Sequence, residues 1–124
     1  MKVSLLVPAL SVALLSASSA FAQQPCNVEI DQRAIMLGGN FVAAFNVNSG
    51  QGCMYSIVAD RTVSGSEVTQ AAQHGTVKLT QPYTFNYEPA AGYRGSDSFA
   101  VTVKGQSLDG KPGASVVRFN VGVK

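Results

Sequence analysis

The residues from 83 to 103 constrain the fold of this chain more than any other stretch. Tyr83, Phe85 and Tyr87 alternate with polar residues, which is the pattern of a strand that buries one face. Residues 89–96, with the sequence PAAGYRGS, interrupt this alternation, and a second alternating run follows them. Proline and glycine favour turns over strand interiors. The stretch therefore predicts a strand, a corner and a second strand.

Short alternating runs of the same kind recur along the chain at intervals of about 8–14 residues, with turn residues between them. The most polar section, residues 60–73, leaves two alternatives: a short edge strand around Glu67–Ala71, or a solvated loop. Residues 32–37 also leave two alternatives, a short turn of helix or a continuing edge strand, and the chain has no convincing helix elsewhere. The pattern predicts an all-β, antiparallel β-sandwich of about seven or eight strands. Outside the corner stretch, the predicted strands cover residues 26–31, 41–47, 54–59, 76–80 and 114–123.

The first 22 residues have the features of a cleavable signal peptide. Lys2 is followed by an apolar run of about 13 residues, which is shorter than the roughly 20 that a membrane-spanning helix needs. The segment ends in Ala20-Phe21-Ala22, the small-x-small pattern that precedes a cleavage site. We expect residues 1–22 to be cleaved and residues 23–124 to form a single exported domain, either periplasmic or extracellular. No later apolar segment predicts membrane insertion of the mature chain.

The chain has two cysteines, Cys26 and Cys53, and both follow the predicted leader. An even pair of cysteines in a small exported domain favours a disulfide bond. A redox or metal-binding pair is the alternative, but the spacing is far from C-x-x-C and no second cysteine or histidine cluster accompanies it. The bond would close a loop of about 28 residues, for which the chain-entropy model gives about 3–4 kcal/mol.

Charge and composition argue against several classes of function. Residues 23–124 carry a net charge of +1, and their basic residues are scattered, so we expect no nucleic-acid partner. His74 is the single histidine, and the acidic residues do not cluster. We therefore expect no catalytic residue, no metal ligand and no cofactor, and hence no enzyme. Arg94, at the tip of the corner, is the candidate contact residue for a partner, with a merely solvated side chain as the alternative.

Two segments resemble a known family. Residues 74–77, HGTV, and residues 87–99, YEPAAGYRGSDSF, are similar to the bacterial Ig-like, cadherin-like tandem module. That module has a G-T-V strand and a Y-x-P-x-x-G-[YF]-x-G-x-D-x-F corner, and the resemblance here is confined to residues 74–103. It implies an Ig-like Greek-key β-sandwich. Such modules usually occur as repeated units of large surface proteins and adhesins.

The corner residues have structural explanations of their own. We expect Pro89 to end its strand because proline cannot donate to a ladder, and we expect the two glycines to allow positive φ or a close backbone approach. The ring of Tyr93 would be buried with its hydroxyl bonded to the backbone, while Asp97 would accept bonds from loop amides. The six predicted corner residues are Pro89, Gly92, Tyr93, Gly95, Asp97 and Phe99.

These features predict an exported, non-catalytic Ig-like domain that binds a protein or glycan partner through its loops or a sheet edge. A structural subunit of a cell-surface or adhesive assembly is the alternative, and a small secreted hydrolase that uses His74 is a remote one. Because the corner residues are explained by turning the chain, we expect partner contacts in the polar segments 60–73 and 104–113.

Overall fold

The structure is a computed structural model that describes residues 23–30, 38–57, 62–106 and 109–124. The predicted signal peptide, residues 1–22, lies outside the described residues. Every regular element that is described is a β-strand. Accordingly, no helix in the described ranges is long and apolar enough to cross a membrane.

The strands form two four-stranded sheets packed face to face. The first sheet has the strand order β1-β3-β6-β5 and the second has the order β2-β8-β7-β4. Strands β2 to β8 make an Ig-like sandwich, so the predicted all-β, Ig-like Greek-key fold is confirmed. The strands are β1 (Gln23–Pro25), β2 (Asn40–Val47), β3 (Gly52–Ser56), β4 (Thr62–Gln70), β5 (Gly75–Thr80), β6 (Thr84–Pro89), β7 (Gly95–Gln106) and β8 (Pro112–Val123).

Most strand pairs are antiparallel, as predicted, but two pairs are parallel. β1 runs parallel to β3, and β2 runs parallel to β8. In each pair the first-named strand comes from the N-terminal part of the chain and lies at the edge of its sheet. No short hairpin connects it to the strand beside it. Without a hairpin, nothing local fixes the direction of pairing.

The alternating apolar residues meet between the sheets as an aromatic core. Phe45 lies at its centre, with ring centroids of four other aromatic residues 5.7–6.2 Å away. The rings of Phe85 and Phe119 are 4.8 Å apart and meet edge to face, a favoured geometry for aromatic pairs. These five rings are buried, and they are Phe45, Phe85, Tyr87, Phe99 and Phe119.

The first predicted strand is misplaced. The sequence pattern predicts a strand over residues 26–31, whereas the ladder is found at Gln23–Pro25, and Glu29 forms an isolated bridge. Residues 26–30 pass from the edge of the first sheet to the edge of the second, so they have no continuous partner strand. Val28 and Ile30 nevertheless pack against the core. The predicted alternation of inward and outward side chains is therefore present, although these residues form no continuous ladder.

The polar section 60–73 contains an edge strand rather than only a loop. β4 pairs antiparallel with β7 and has two register shifts, and it is longer than the predicted Glu67–Ala71. The strands on either side of the corner belong to different sheets, since β6 lies in the first and β7 in the second. Residues 90–94 therefore carry the chain from one sheet to the other.

Candidate functional site

The corner between β6 and β7 is shaped by the residues that the sequence singled out. β6 ends at Pro89, which is buried. Gly92 and Gly95 have φ values of 75° and 139°. Residues other than glycine rarely adopt this backbone conformation. Tyr93 is half-buried, and its hydroxyl donates to the carbonyl of Ser96. These contacts are internal to the turn.

Asp97 is the polar residue that joins the corner to its surroundings. It is 7% exposed, and its carboxylate accepts four hydrogen bonds. One carboxylate oxygen accepts from the backbone N–H of Gln73 at 2.9 Å and of Ser98 at 2.8 Å. The other accepts from the backbone N–H of His74 at 3.2 Å and from the hydroxyl of Tyr87 at 2.7 Å. Asp97 thereby ties the β4–β5 loop and both sheets together.

The hydroxyl of Tyr87 stays protonated in this arrangement. Burial raises the pKa of Tyr87 well above its usual range, and the hydrogen bond to the Asp97 carboxylate raises it further. A phenolate there would lie against a carboxylate with little water to screen the two charges. The pair is therefore a hydrogen bond between a neutral donor and a carboxylate, and it spans the two sheets.

His74 is not oriented as a general base by Asp97. Asp97 accepts the backbone N–H of His74, while the imidazole stacks on the ring of Tyr93 with centroids 4.2 Å apart and 6° between the planes. The side chain of the nearby Arg94 is exposed. Within the described ranges, no three His, Cys, Asp or Glu residues group closely enough to hold a metal ion.

A polar cleft lies on the outer face of the second sheet, on the surface away from the core. Two rows of side chains cross the strands there, because directly paired residues point to the same face. The registers of β2, β8 and β7 set both rows, and a bridge from the N-terminal segment extends the first. The first row is Glu29, Ala44, Asn120 and Ser98, and the second row is Asn46, Gly122 and Ser96.

The cleft is concave because small residues occupy the middle of each row. Gly122 has no side chain, and a Cβ built there would collide with the amide oxygen of Asn46, which leans over it. Ala44 leaves a similar gap between Glu29 and Asn120. The cavity has a volume of about 720 Å³, within the range of about 300–1,000 Å³ that is usual for ligand sites.

The lining of the cleft is polar and nearly neutral. Amides and hydroxyls supply both donors and acceptors, from residues such as Asn46, Asn120 and Ser98. Asp97 borders the cleft as well, but its carboxylate is buried and accepts the bonds described above. Glu29 is therefore the lining carboxylate that is exposed to a ligand.

The N-terminal segment forms one wall of the cleft, and a disulfide bond holds it. Asn27 and Glu29 line the cleft, and the backbone of Glu29 exchanges hydrogen bonds of 2.8 and 3.2 Å with that of Ala44. The predicted disulfide between Cys26 and Cys53 is confirmed. It attaches this wall to the start of β3.

The cleft lies only partly within the segments that the sequence predicts for partner contacts. Of the two predicted contact segments, the described part of residues 60–73 contributes Gln73, and residues 104–106 and 109–113 contribute nothing to the lining. Most of the lining comes from outward positions of strands that were identified by their inward residues alone. One signal was available, since asparagine is depleted in strands, yet Asn46 and Asn120 occupy outward strand positions.

Comparison with known proteins identifies one matching family, described as the bacterial Ig domain, whose sequence profile matches residues 37–121. The match covers β2 to β7 and nearly all of β8, and so extends well beyond the resemblance at residues 74–103. Residues 23–30 precede the matched region. No curated protein matches the chain.

Proposed function

The chain belongs to the bacterial Ig domain family, and from this premise we propose that it is an exported, non-catalytic domain that binds a glycan in the polar cleft. Export would follow cleavage after Ala22, with residues 23–124 as the mature domain in the periplasm or outside the cell. The disulfide supports this location, because such bonds persist in oxidising compartments.

The observation that carries the proposal is the pair of polar rows around Gly122. A glycan presents many hydroxyl groups, each of which both donates and accepts a hydrogen bond. Asn46 and Asn120 offer amide groups with both functions, and Ser98 offers a hydroxyl. Because the rows belong to strands of one sheet, the ladder fixes the spacing of their side chains. These side chains need little further ordering when a ligand binds. Such preorganisation reduces the entropic cost of association.

The chemistry favours a neutral glycan over a highly charged ligand. Among the exposed lining groups that the structure describes, Glu29 is the single charge, so a polyanion would find no cation among them. A protein partner would be expected to bury aromatic or other large apolar anchors, whereas the exposed side chains of the lining are amides, hydroxyls, one carboxylate and small residues.

Binding of neutral hexose oligosaccharides to the exported chain tests the proposal. Titration followed by amide chemical shifts should give shifts concentrated on β2, β7 and β8 around the cleft. Asn46→Ala should weaken binding by about tenfold, the effect of losing roughly 1.4 kcal/mol. The matched control is Asn40→Ala, which removes the same side chain from the same face of the same strand, outside the cleft.

A second variant fills the cleft without removing a polar group. Gly122→Ala places a methyl group at the floor, where the flexible side chain of Asn46 can move aside, so the fold should tolerate it while binding declines. The proposal would be refuted if no oligosaccharide bound, or if the bound oligosaccharide shifted residues outside the cleft and both cleft variants bound as well as Asn40→Ala.

A further inference from the structure

Two edge strands, β4 and β5, lie on the same side of the sandwich, and the middle of the β4 edge is already occupied. The side-chain amide of Gln81 accepts from the backbone N–H of Ser66 at 3.0 Å and donates to its carbonyl at 2.9 Å. These are the two bonds that a residue of an added strand would make with Ser66. Gln81 thus occupies the middle of the β4 edge, at the point where an added strand would have to pair with Ser66.

The β5 edge has no such cover within the described residues. Ala90 donates to the carbonyl of His74 at 2.8 Å, and Pro89, which lies opposite Gly75, has no N–H to give. Bonding residues alternate along an antiparallel ladder, so His74, Thr76, Lys78 and Thr80 face β6. The backbone groups of the intervening residues face away from it.

We propose that the β5 edge pairs with the β5 edge of a second copy of this chain, antiparallel and centred on Val77. In this register the N–H and C=O of Val77 bond to those of its counterpart. Gly75 of each copy exchanges bonds with Leu79 of the other. Every outward-facing backbone group of the strand then has a partner, and the first sheets of the two copies join into one continuous sheet.

Charge selects this register over its neighbours. A shift that centres the pairing on Lys78 places the two lysines directly opposite each other in the close, non-bonded type of pair, where like charges repel. A shift that centres it on Thr76 leaves the bonding groups of Leu79 unused. A shift of a single residue would turn the core-facing side chains of one copy to the outer face.

The proposed register also brings opposite charges together. Lys78 of one copy lies opposite Thr76 of the other, and Glu88 is the next residue in that row, on β6. Two strand spacings separate the lysine and glutamate backbones, about 10 Å, which their extended side chains bridge over the short threonine. The described residues of the chain itself provide neither of them with an ion-pair partner. Because the dimer is two-fold symmetric, this contact between Lys78 and Glu88 forms twice.

Sedimentation velocity of the exported chain, with its disulfide intact, tests this dimer over a range of concentrations. Lys78→Glu and Glu88→Lys should each weaken dimerisation by about tenfold, since each replaces two attractions with two repulsions. The double variant, with the charges exchanged, should restore it. The matched control is Lys104→Glu, which reverses an exposed strand lysine of the second sheet and should leave dimerisation unchanged.

Hydrogen exchange gives an independent measurement on the unaltered chain. The amides of Val77 and Leu79 should become protected as the concentration rises, while those of β6, already paired, should not change. A chain that stays monomeric at every concentration overturns the inference. So does a dimer in which the Val77 amide exchanges freely, or one that the double variant fails to restore. The cleft lies on the other sheet, so none of these outcomes bears on glycan binding.

Discussion

Asp97→Asn is the substitution that best tests how the corner is held. The carboxylate of Asp97 accepts four hydrogen bonds, two at each oxygen. Asparagine is nearly the same size but keeps a single acceptor oxygen. If that oxygen keeps the N–H groups of Gln73 and Ser98, the new amide group faces the hydroxyl of Tyr87 and the N–H of His74. The hydroxyl can rotate to accept, but the N–H cannot.

The expected loss of stability follows from the hydrogen bonds that the substitution would remove. A buried N–H without an acceptor costs about 1–3 kcal/mol, and bonds to a charged acceptor are stronger than bonds to a neutral one. We therefore expect Asp97→Asn to lower the free energy of unfolding by about 2–3 kcal/mol. Tyr87→Phe removes one donor and leaves the carboxylate its three backbone partners, so it should cost less, about 1–2 kcal/mol.

Urea unfolding provides the assay, monitored by far-ultraviolet circular dichroism because the chain has no tryptophan. The two single variants and the double variant form a cycle, which should give a coupling energy of about 1 kcal/mol or more between Tyr87 and Asp97. A loss below about 0.5 kcal/mol for Asp97→Asn with an unchanged m value would refute the reasoning, since such a loss is typical of ordinary surface substitutions.

Two further predictions concern pH and the disulfide. Because the pKa of Tyr87 is raised in the folded state, its contribution to stability is complete below the unfolded value of about 10 and is lost as the pH rises above it, at up to about 1.4 kcal/mol per pH unit. Tyr87→Phe should remove that part of the slope, and equal slopes in the two proteins would contradict the raised pKa. Replacing Cys26 and Cys53 together by alanine should lower the free energy of unfolding by about 3–4 kcal/mol. It should also speed the amide exchange of Glu29, and unchanged protection there would show that the disulfide does not hold the wall of the cleft.

The N-terminal segment gives this chain a feature beyond the matched family region. Residues 23–30 precede the match at residues 37–121, yet they pair with an edge of each sheet. The segment covers part of two edges that would otherwise be open to other strands. Its removal is therefore expected to affect both the cleft, through Asn27 and Glu29, and the protection of the β2 and β3 edges.

Local sequence patterns are sufficient to assign the inward faces of the strands and the course of the corner. Alternation is a local property, so Phe85, Phe99 and Phe119 could be assigned to the core without knowing their partners. Gly92 and Gly95 have their expected positive φ values, because the conformation of a tight turn depends on the residues within it. The disulfide was also predictable, since the chain offers its cysteines a single pairing.

Tertiary structure alone decided which outward residues share a surface. Asn46 and Ser96 meet across Gly122 because β8 lies between β2 and β7, and that strand order and register follow from packing of the whole core, not from any local pattern. The same holds for Gln81, whose amide occupies the β4 edge at Ser66 only because two strands of different sheets come together there. Inward faces follow from local alternation, whereas the cleft and the open edge follow from long-range pairing.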